Sequence, residues 1–547
     1  MGQVRIPVIK PSRIERALTL LALAGLLLAA CQATMSPPDA VPTALPVAEY
    51  GWWNDAVFYE VFVRSFYDSD GDGVGDINGL IKKLDYLNDG DPATNDDLGV
   101  TGLWLMPVMQ SPSYHGYDVV DYYQVGDEYG DNDDLLRLIE QAHARGIRII
   151  IDLVLNHTSR QHPWFQEALD PGSERRDWYI WANEQPEGER WRESAGGYYY
   201  GYFSDQMPDL NYENPAVTEE MQKVTRFWLK DMGVDGFRLD AIKHLFEDGP
   251  VLEHTPATHA WLQEFYLFCK EINPDAVIVG EVWSTMDDVV EYVGGELDIA
   301  FEFELANATL ESAVSGRKAS VERKQQAVID TYPPGQFATF LANHDQNRAR
   351  SRLLDDEQAK LAATLQLTFP GAPFIYYGEE IGMQGAKPDE NIRRPMQWGP
   401  DGGFTTGEPW RLYYEDYQER HVAGQSEATD SLLNHYRALV RLRNEHIALR
   451  QGDFIPLESD CRPVYGYLRR HQDENILVIV NLAAQEQTGC TLSLAASGLA
   501  HGDYAVRELL TSVEMSTLTA NENGGFDYTP SEAFAPREEY ILLLMGD

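Results

Sequence analysis

Lysine is scarce in this chain. Of 43 basic residues among 547, only 11 are Lys, and they face 87 Asp and Glu. The formal net charge is −44. Such a field repels nucleic acid and anionic substrates, but a neutral polymer does not feel it. Much acid with little Lys also fits an exported protein adapted to salt. Cysteine is scarce as well, with four residues, at 31, 269, 461 and 490. After residue 30 no run is long and apolar enough to span a bilayer. No internal repeat is visible. No Gly-rich phosphate turn follows the first strand-like run, which argues against a doubly wound nucleotide-binding sheet.

What is present begins with a targeting segment. Arg5, Lys10, Arg13 and Arg16 form a basic region, and residues 17–30 (ALTLLALAGLLLAA) form an apolar one that ends in small residues. Leu28-Ala29-Ala30-Cys31 resembles a bacterial lipobox. Residues 1–30 are therefore read as a lipoprotein signal peptide, Cys31 as the lipidated residue and 31–49 as a flexible tether. The expected location is a bacterial membrane, on the outer membrane or cell surface, held by the lipid alone. Without residues 1–30 the chain has 39 basic and 86 acidic residues, or −47. An exported protein permits disulfides, so Cys461 and Cys490 can pair. Three free thiols remain the alternative, and Cys269 sits in a helical pattern.

Eight β-type runs alternate with amphipathic segments. They are 56–63, 100–108, 146–157, 234–240, 276–281, 297–305, 337–344 and 372–380. Apolar strands between helices imply a parallel sheet covered on both faces. Eight units of this kind fit a (β/α)8 barrel, here over 50–157 and 218–448. Residues 158–217, rich in Trp, Tyr, Gly and Asp, read as a subdomain inserted after the third strand. Short alternating runs in 449–547 predict a C-terminal antiparallel β-sandwich.

Three of the strand runs lead into acids. GFRLD ends in Asp240, AVIVGE ends in Glu281, and Asp345 follows FATFLANH. A parallel barrel builds its active site at the C-terminal ends of its strands. Cleaving a glycosidic bond needs one carboxylate as nucleophile and another as proton donor. Arg238 and Asp240 lie two apart, hence on one side of their strand, and the Arg is expected to hold the acid ionised at a lowered pKa. Glu281 precedes Val282 and Trp283, and apolar walls raise a carboxyl's pKa. His344-Asp345 can grip sugar hydroxyls. DLVLNH (152–157) offers Asp152 to brace the interior, Asn156 to ligate a cation and His157 to bond a sugar. Taken singly, each of these motifs also has an ordinary structural explanation.

Taken together and in order, DLVLNH, GFRLDAIKH, GEVW and FLANHD resemble the four defining regions of the alpha-amylase family, glycoside hydrolase family 13. GVTGLWLMP (99–107), MPDLN (207–211) and GAPFIYYGEEIG (371–382) extend the match. The resemblance implies Asp240 as nucleophile, Glu281 as acid/base and Asp345 as transition-state stabiliser. It implies sugar contacts from Arg238, His157 and His344, a stacking platform at Tyr117, and leaving-group contacts from Lys243 and His244. It also implies retention of anomeric configuration.

Asp68, Asp70, Asp72, Val74 and Asp76 fall at positions 1, 3, 5, 7 and 9 of a Ca²⁺ loop, with Gly73 at the turn and Gly79, not Glu, at position 12. Similar loops bind Ca²⁺ in the oligoglucosidase-like branch of the family. A second cation site is implied at Asn156, Asp209 and the carbonyl of His244.

The chain mixes branches. The loop and RRPMQW (393–398) resemble oligo-1,6-glucosidases, and MPDLN lies between their form of that motif and the neopullulanase form. Exo-acting relatives typically carry Asp where this chain has Tyr114, and often Val where it has Ala241. The expected activity is therefore endo-hydrolysis of α-1,4-glucans by a monomer. The alternatives are α-glucosidase or oligo-1,6-glucosidase activity and 4-α-glucanotransfer. A non-catalytic glucan binder has no need of all three acids.

Overall fold

The structure is a computed structural model that describes residues 50–546. Cys31, the signal segment and the tether lie outside the described residues. Eight parallel strands close into a barrel in chain order: β1 (Phe58–Val61), β2 (Gly102–Leu105), β3 (Arg148–Val154), β4 (Gly236–Asp240), β5 (Val277–Gly280), β6 (Ile299–Phe301), β7 (Phe337–Thr339) and β8 (Ala372–Tyr376).

Alternation along each strand separates two cores. Phe58, Trp104, Ile150, Val277, Val279, Phe301 and Phe374 fill the barrel interior. Their neighbours, such as Tyr59, Leu103, Ile151, Phe237 and Ile278, pack outward under the helices. Phe58 stacks on Phe374 with ring centroids 4.3 Å apart. The interior changes character two residues further up. Phe58 gives way to Glu60, Ile150 to Asp152, and Gly236 to Arg238, since i and i+2 share a face. Register then pairs Asp152 with Arg238 across β3 and β4. The barrel is thus apolar below and charged at its C-terminal mouth. Gly236 allows the close pairing of β4 with β5, because a Cβ there would lie 2.0 Å from the Val277 carbonyl oxygen.

Several strands are shorter than their sequence runs predict. The run at 297–305 holds a strand only over Ile299–Phe301, and Phe303–Ser315 is a helix. Glu302 ends the strand by accepting the N–H groups of Glu304 and Leu305, an N-cap within an apolar stretch. The run at 337–344 is a strand only to Thr339, so Asp345 stands in the following loop. The helical stretch near 219–233 begins at Pro215 and widens into a π-helical turn over Phe227–Met232.

Between β3 and β4 the chain forms a three-stranded sheet of Trp181–Ala182, Trp191–Ser194 and Gly197–Tyr200. After the barrel, Asp453–Pro456, Val464–Arg470, Asn475–Asn481, Glu539–Gly546, Gly502–Glu508 and Glu514–Ala520 make a six-stranded antiparallel sheet in that spatial order. One face (Val464, Leu468, Leu477, Ile479) shares a core with Leu492, Phe526 and Tyr528 of a smaller sheet. The other face (Tyr465, Tyr467, Ile476, Val478) joins the outer core of the barrel. Cys461 and Cys490 form a disulfide, and Cys269 is buried in the helix Pro256–Ile272.

Two buried arginines, neither with an acid partner, meet the end of one barrel helix, Arg443 from the neighbouring helix Leu432–Glu445 and Arg469 from the sheet. Arg443 donates to the carbonyls of Leu367, Phe369 and Gly371, and Arg469 to those of Thr368 and Gly452. The helix Asp356–Thr368 ends there. Its last carbonyls lack intrahelical donors and carry the negative end of the helix dipole, which suits a cation. Arg443→Met should cost about 2–4 kcal/mol by orphaning these carbonyls. A denaturant midpoint equal to the parent's would show that other donors replace the guanidinium.

Candidate active site

Arg238 is the centre of the mouth. Its side chain has 0% exposure. Nη1 donates to Asp152 Oδ1 and to Asp240 Oδ1, each at 2.7 Å. Nη2 lies 3.0 Å from Glu281 Oε2, an ionic contact without hydrogen-bond alignment. The guanidinium also faces the Trp104 and Tyr117 rings, 5.2 and 5.7 Å from their centroids. One planar cation therefore holds the proposed nucleophile, the proposed acid and the interior brace.

Glu281 stands one residue beyond β5. Its Oε2 accepts the N–H of Ala241 at 3.1 Å. Ala241 has φ 50°, ψ 29°, a left-handed conformation that costs a residue with a Cβ about 1–2 kcal/mol. The turn of the backbone directly after Asp240 presents this N–H to Glu281. Burial, reinforced by the negative charges of Asp240 and Asp345, raises the pKa of Glu281 against the pull of Arg238.

Asp240 corrects the sequence reading. Burial pushes it up to about 6, and Arg238 offsets this only in part, while Asp152 and Asp345 add to the rise. An adjacent Arg alone would lower it. Desolvation in a closed mouth outweighs that attraction.

Asp345 is held from two sides. Arg393 Nη2 donates to its Oδ1 at 2.8 Å, and His344 Nε2 lies 3.3 Å from Oδ2. Despite burial, the charges of His344, Arg393 and Arg238 hold its pKa far below the usual carboxylate range. His344 Nδ1 meets Glu60 Oε1 at 2.5 Å, and Nε2 meets the Tyr117 hydroxyl at 2.7 Å. Tyr117 also donates to Asp152 at 3.1 Å, so its ring is locked flat against His344 at 5.5 Å. His157 is buried, its Nε2 has no partner, and its ring lies 5.3 Å from Phe203. Burial lowers its pKa to about 4, so it is a neutral imidazole.

Lys243 and His244 are less free than the sequence reading implied. Lys243 Nζ bonds the Trp283 carbonyl at 2.9 Å and pairs with Glu253 at 2.7 Å. His244 Nδ1 meets the Leu252 carbonyl, and its ring lies 3.9 Å from that of Tyr202. Trp283 is 47% exposed and stacks on Phe303.

Two residues of the site escaped sequence reasoning. Glu60 carries no motif, and only its position on the inward face of β1 marks it. Arg393 was legible as part of RRPMQW, but nothing local shows that it reaches Asp345 from 48 residues away. Tyr114, by contrast, was singled out, and it stacks on Trp410 at 5.5 Å.

The acidic loop folds around its own carboxylates. Asp68 accepts the N–H groups of Asp70, Gly71 and Gly73, and Asp76 those of Ser69 and Gly79. Carboxylate oxygens of Asp68, Asp70 and Asp76 lie within 4.8 Å of one another, while Asp72 is outside this trio. Gly73 has φ 96°, and a Cβ there would lie 2.1 Å from the Glu408 carbonyl oxygen. At the other candidate position Asp209 is buried beside Asn156, with only neutral donors, and burial raises its pKa strongly.

The ion pairs of His344 make a linkage prediction. Burial opposes its charge, but Asp345 and Glu60 outweigh burial and raise its pKa to about 9. A raised histidine contributes stability in full below its unfolded value, about 6.5, and loses it as pH rises through the folded value. Thermal stability should therefore decline from about pH 6.5 to 9, and Glu60→Gln should flatten that decline. An unchanged pH profile in the variant would exclude Glu60 as the partner that charges His344.

Known proteins resemble this chain in sequence and fold. The model of the alpha amylase catalytic domain matches residues 60–452. Alpha-amylase 3 of Dictyoglomus thermophilum is 42% identical over 447 residues, covering 80% of this chain and 86% of the relative. A trehalose synthase/amylase TreS of Mycobacterium tuberculosis is 36% identical (80% and 83% covered), and the oligo-1,6-glucosidase of Heyndrickxia coagulans 34% (79% and 92%). The crystal structure of an alpha-amylase from H.orenii superposes with a TM-score of 0.77 at 40% identity, covering 90% of this chain and 99% of that one. The closed barrel, the acids gathered on Arg238 and these matches agree, and the chain belongs to the alpha-amylase family, glycoside hydrolase family 13.

Proposed function

We propose that this glycoside hydrolase is a retaining, endo-acting α-1,4-glucanase that cuts starch, glycogen or maltooligosaccharides. The observation that carries the reading is the Asp240–Arg238–Glu281 unit. A single guanidinium touching both carboxyls favours the short spacing of retaining enzymes, about 5–5.5 Å, over the wider one that admits a water. Asp240 attacks the anomeric carbon while Glu281, its pKa raised, gives its proton to the leaving oxygen. Water then attacks the glycosyl ester of Asp240, and Glu281 takes that water's proton. Asp345, held ionised, faces the positive charge that develops on the ring.

Endo action rests on Tyr114. Its ring lies on Trp410 where exo-acting relatives offer a carboxylate to a terminal sugar. Such an aromatic wall lets a chain pass. Maltoheptaose products followed over time test this: mid-length maltooligosaccharides should appear first. Glucose as the sole early product would indicate an α-glucosidase, and products longer than the substrate a glucanotransferase. Asp240→Asn should lower turnover about 10⁴-fold or more with an unchanged melting curve. A variant retaining a tenth of parental activity would remove Asp240 from the nucleophile's role.

Calcium belongs to the same reading. Three hard carboxylates converging within a tight turn suit Ca²⁺. Asp68, Asp70 and Asp76 would hold it, with Asp72 and the Val74 carbonyl completing the loop. The buried Asp209, hydrogen-bonded only by neutral donors, supports a second ion, shared with Asn156 and the His244 carbonyl. The lipid anchor at Cys31 rests on the sequence motif, and Cys31→Ser should move the protein into the soluble fraction. Among the described residues no helix is long and apolar enough to cross a membrane. Chelation should lower thermal stability more than activity at 25 °C, since an ion bound to the native state alone stabilises it by mass action, about 2.7 kcal/mol at a hundredfold excess over Kd. Asp70→Ala should abolish most of this response. Melting curves that coincide with and without chelator would overturn the loop assignment.

A further inference from the structure

A cavity of about 590 Å³ opens between the inserted subdomain and the loop that follows β4. None of the three catalytic acids lines it. Its volume falls in the range that encloses a small-molecule ligand. On the subdomain side stand Trp181, Trp191 and Tyr200, and on the barrel side Leu245, Phe246 and Glu247. Trp191 and Tyr200 are cross-strand partners with ring centroids 5.3 Å apart. The Tyr200 hydroxyl donates to Glu247 Oε1 at 2.5 Å, which fixes this carboxylate at the wall.

The chemistry of the lining narrows the ligand. Five carboxylates border the cavity (Asp177, Glu187, Glu189, Glu213, Glu247) against one cation, Arg190. A phosphate or carboxylate ligand is repelled. Trp181 is itself engaged by Arg176, 3.5 Å from its ring centroid, and by Phe165, stacked at 5.6 Å, so Trp191 and Tyr200 carry the aromatic wall. Aromatic faces and fixed carboxylate acceptors match the apolar C–H faces and hydroxyl edges of a sugar ring.

The position fits a long polymer. Leu245 lies five residues beyond Asp240, which limits the chain path between them to about 18 Å. Tyr202 and Phe203 bridge the gap, packed on His244 at 3.9 and 5.8 Å, and Phe203 is half exposed. Phe203 presents an exposed aromatic face on the path from the mouth to the cavity, while Tyr202 is packed against His244 and Arg190.

We propose that this cavity is a second carbohydrate site, which holds the distal leaving-group end of a long α-glucan while the bond is cut at Asp240 and Glu281. The proposal rests on the α-glucan reading given above. Trp191→Ala and Glu247→Gln, made separately in the intact enzyme, test it with soluble amylose and with maltotriose, which is too short to reach. Each variant should raise KM for amylose about tenfold, leave kcat within twofold, and leave both constants for maltotriose unchanged. Trp191→Phe, which keeps a ring, should recover most of the loss. Calorimetry of maltoheptaose binding to Glu281→Gln protein should show weaker affinity once Trp191→Ala is added. An unchanged KM for amylose in both variants overturns the cavity while leaving the function intact. Failure of the parent to degrade any α-glucan overturns the function itself. Equal losses on both substrates indicate a distorted mouth and also overturn the proposal.

Discussion

Arg238 carries a full positive charge at the mouth of the barrel with no access to water. A buried cation is tolerable only when acids and hydrogen bonds replace its hydration shell. Here Asp152, Asp240 and Glu281 surround it, and Trp104 and Tyr117 present their π faces. The acids need the Arg as much as it needs them, because these three carboxyls would otherwise repel one another. The requirement is geometric as well as electrostatic. Asp152 and Arg238 must be register partners, and Asp240 must stand two residues above Arg238. Barrel closure and strand register thus fix the distances on which the chemistry depends.

A second charged network braces the first. Glu60, His344 and Asp345 run in line from β1 to the loop after β7, and Arg393 closes the end. The two networks meet at the Tyr117 hydroxyl, which touches both His344 and Asp152. The site therefore contains acids in opposite electrostatic situations. Asp345 sits between cations and stays ionised, whereas Glu281 is buried with one shared cation and two nearby carboxylates and holds its proton more tightly. Such a division of roles among like groups is how one site runs both acid and base chemistry.

Much of this was legible in the sequence. The eight apolar runs located the eight strands, because a strand buried on both faces needs a continuous apolar stretch. The acids were legible because each follows such a run. Strand lengths were not, since Phe303 and Phe340 are as apolar as strand residues but lie beyond the strand ends in the interior cluster. Only the Glu302 cap distinguishes a helix start there, and a lone Glu is a weak sign. Glu60 was invisible because its partner His344 lies 284 residues away. The direction of the Asp240 pKa shift was misjudged for a related reason. A neighbouring Arg can be read from spacing, but the degree of burial comes from the tertiary fold.

The C-terminal sheet has a feature with a bearing on synthesis. Glu539–Gly546 is not an edge strand but lies between Asn475–Asn481 and Gly502–Glu508. Until residues 539–546 have been made, the sheet has a vacant lane near its middle, and strands on either side of it have no hydrogen-bonding partner there. The face built from Tyr465, Tyr467 and Val478 cannot settle on the barrel as a complete layer before then. A ribosome-bound chain would carry both an open sheet and an uncovered apolar barrel flank. Folding of this region is thereby tied to the synthesis of residues 539–546, and until then its open strands are exposed to aggregation.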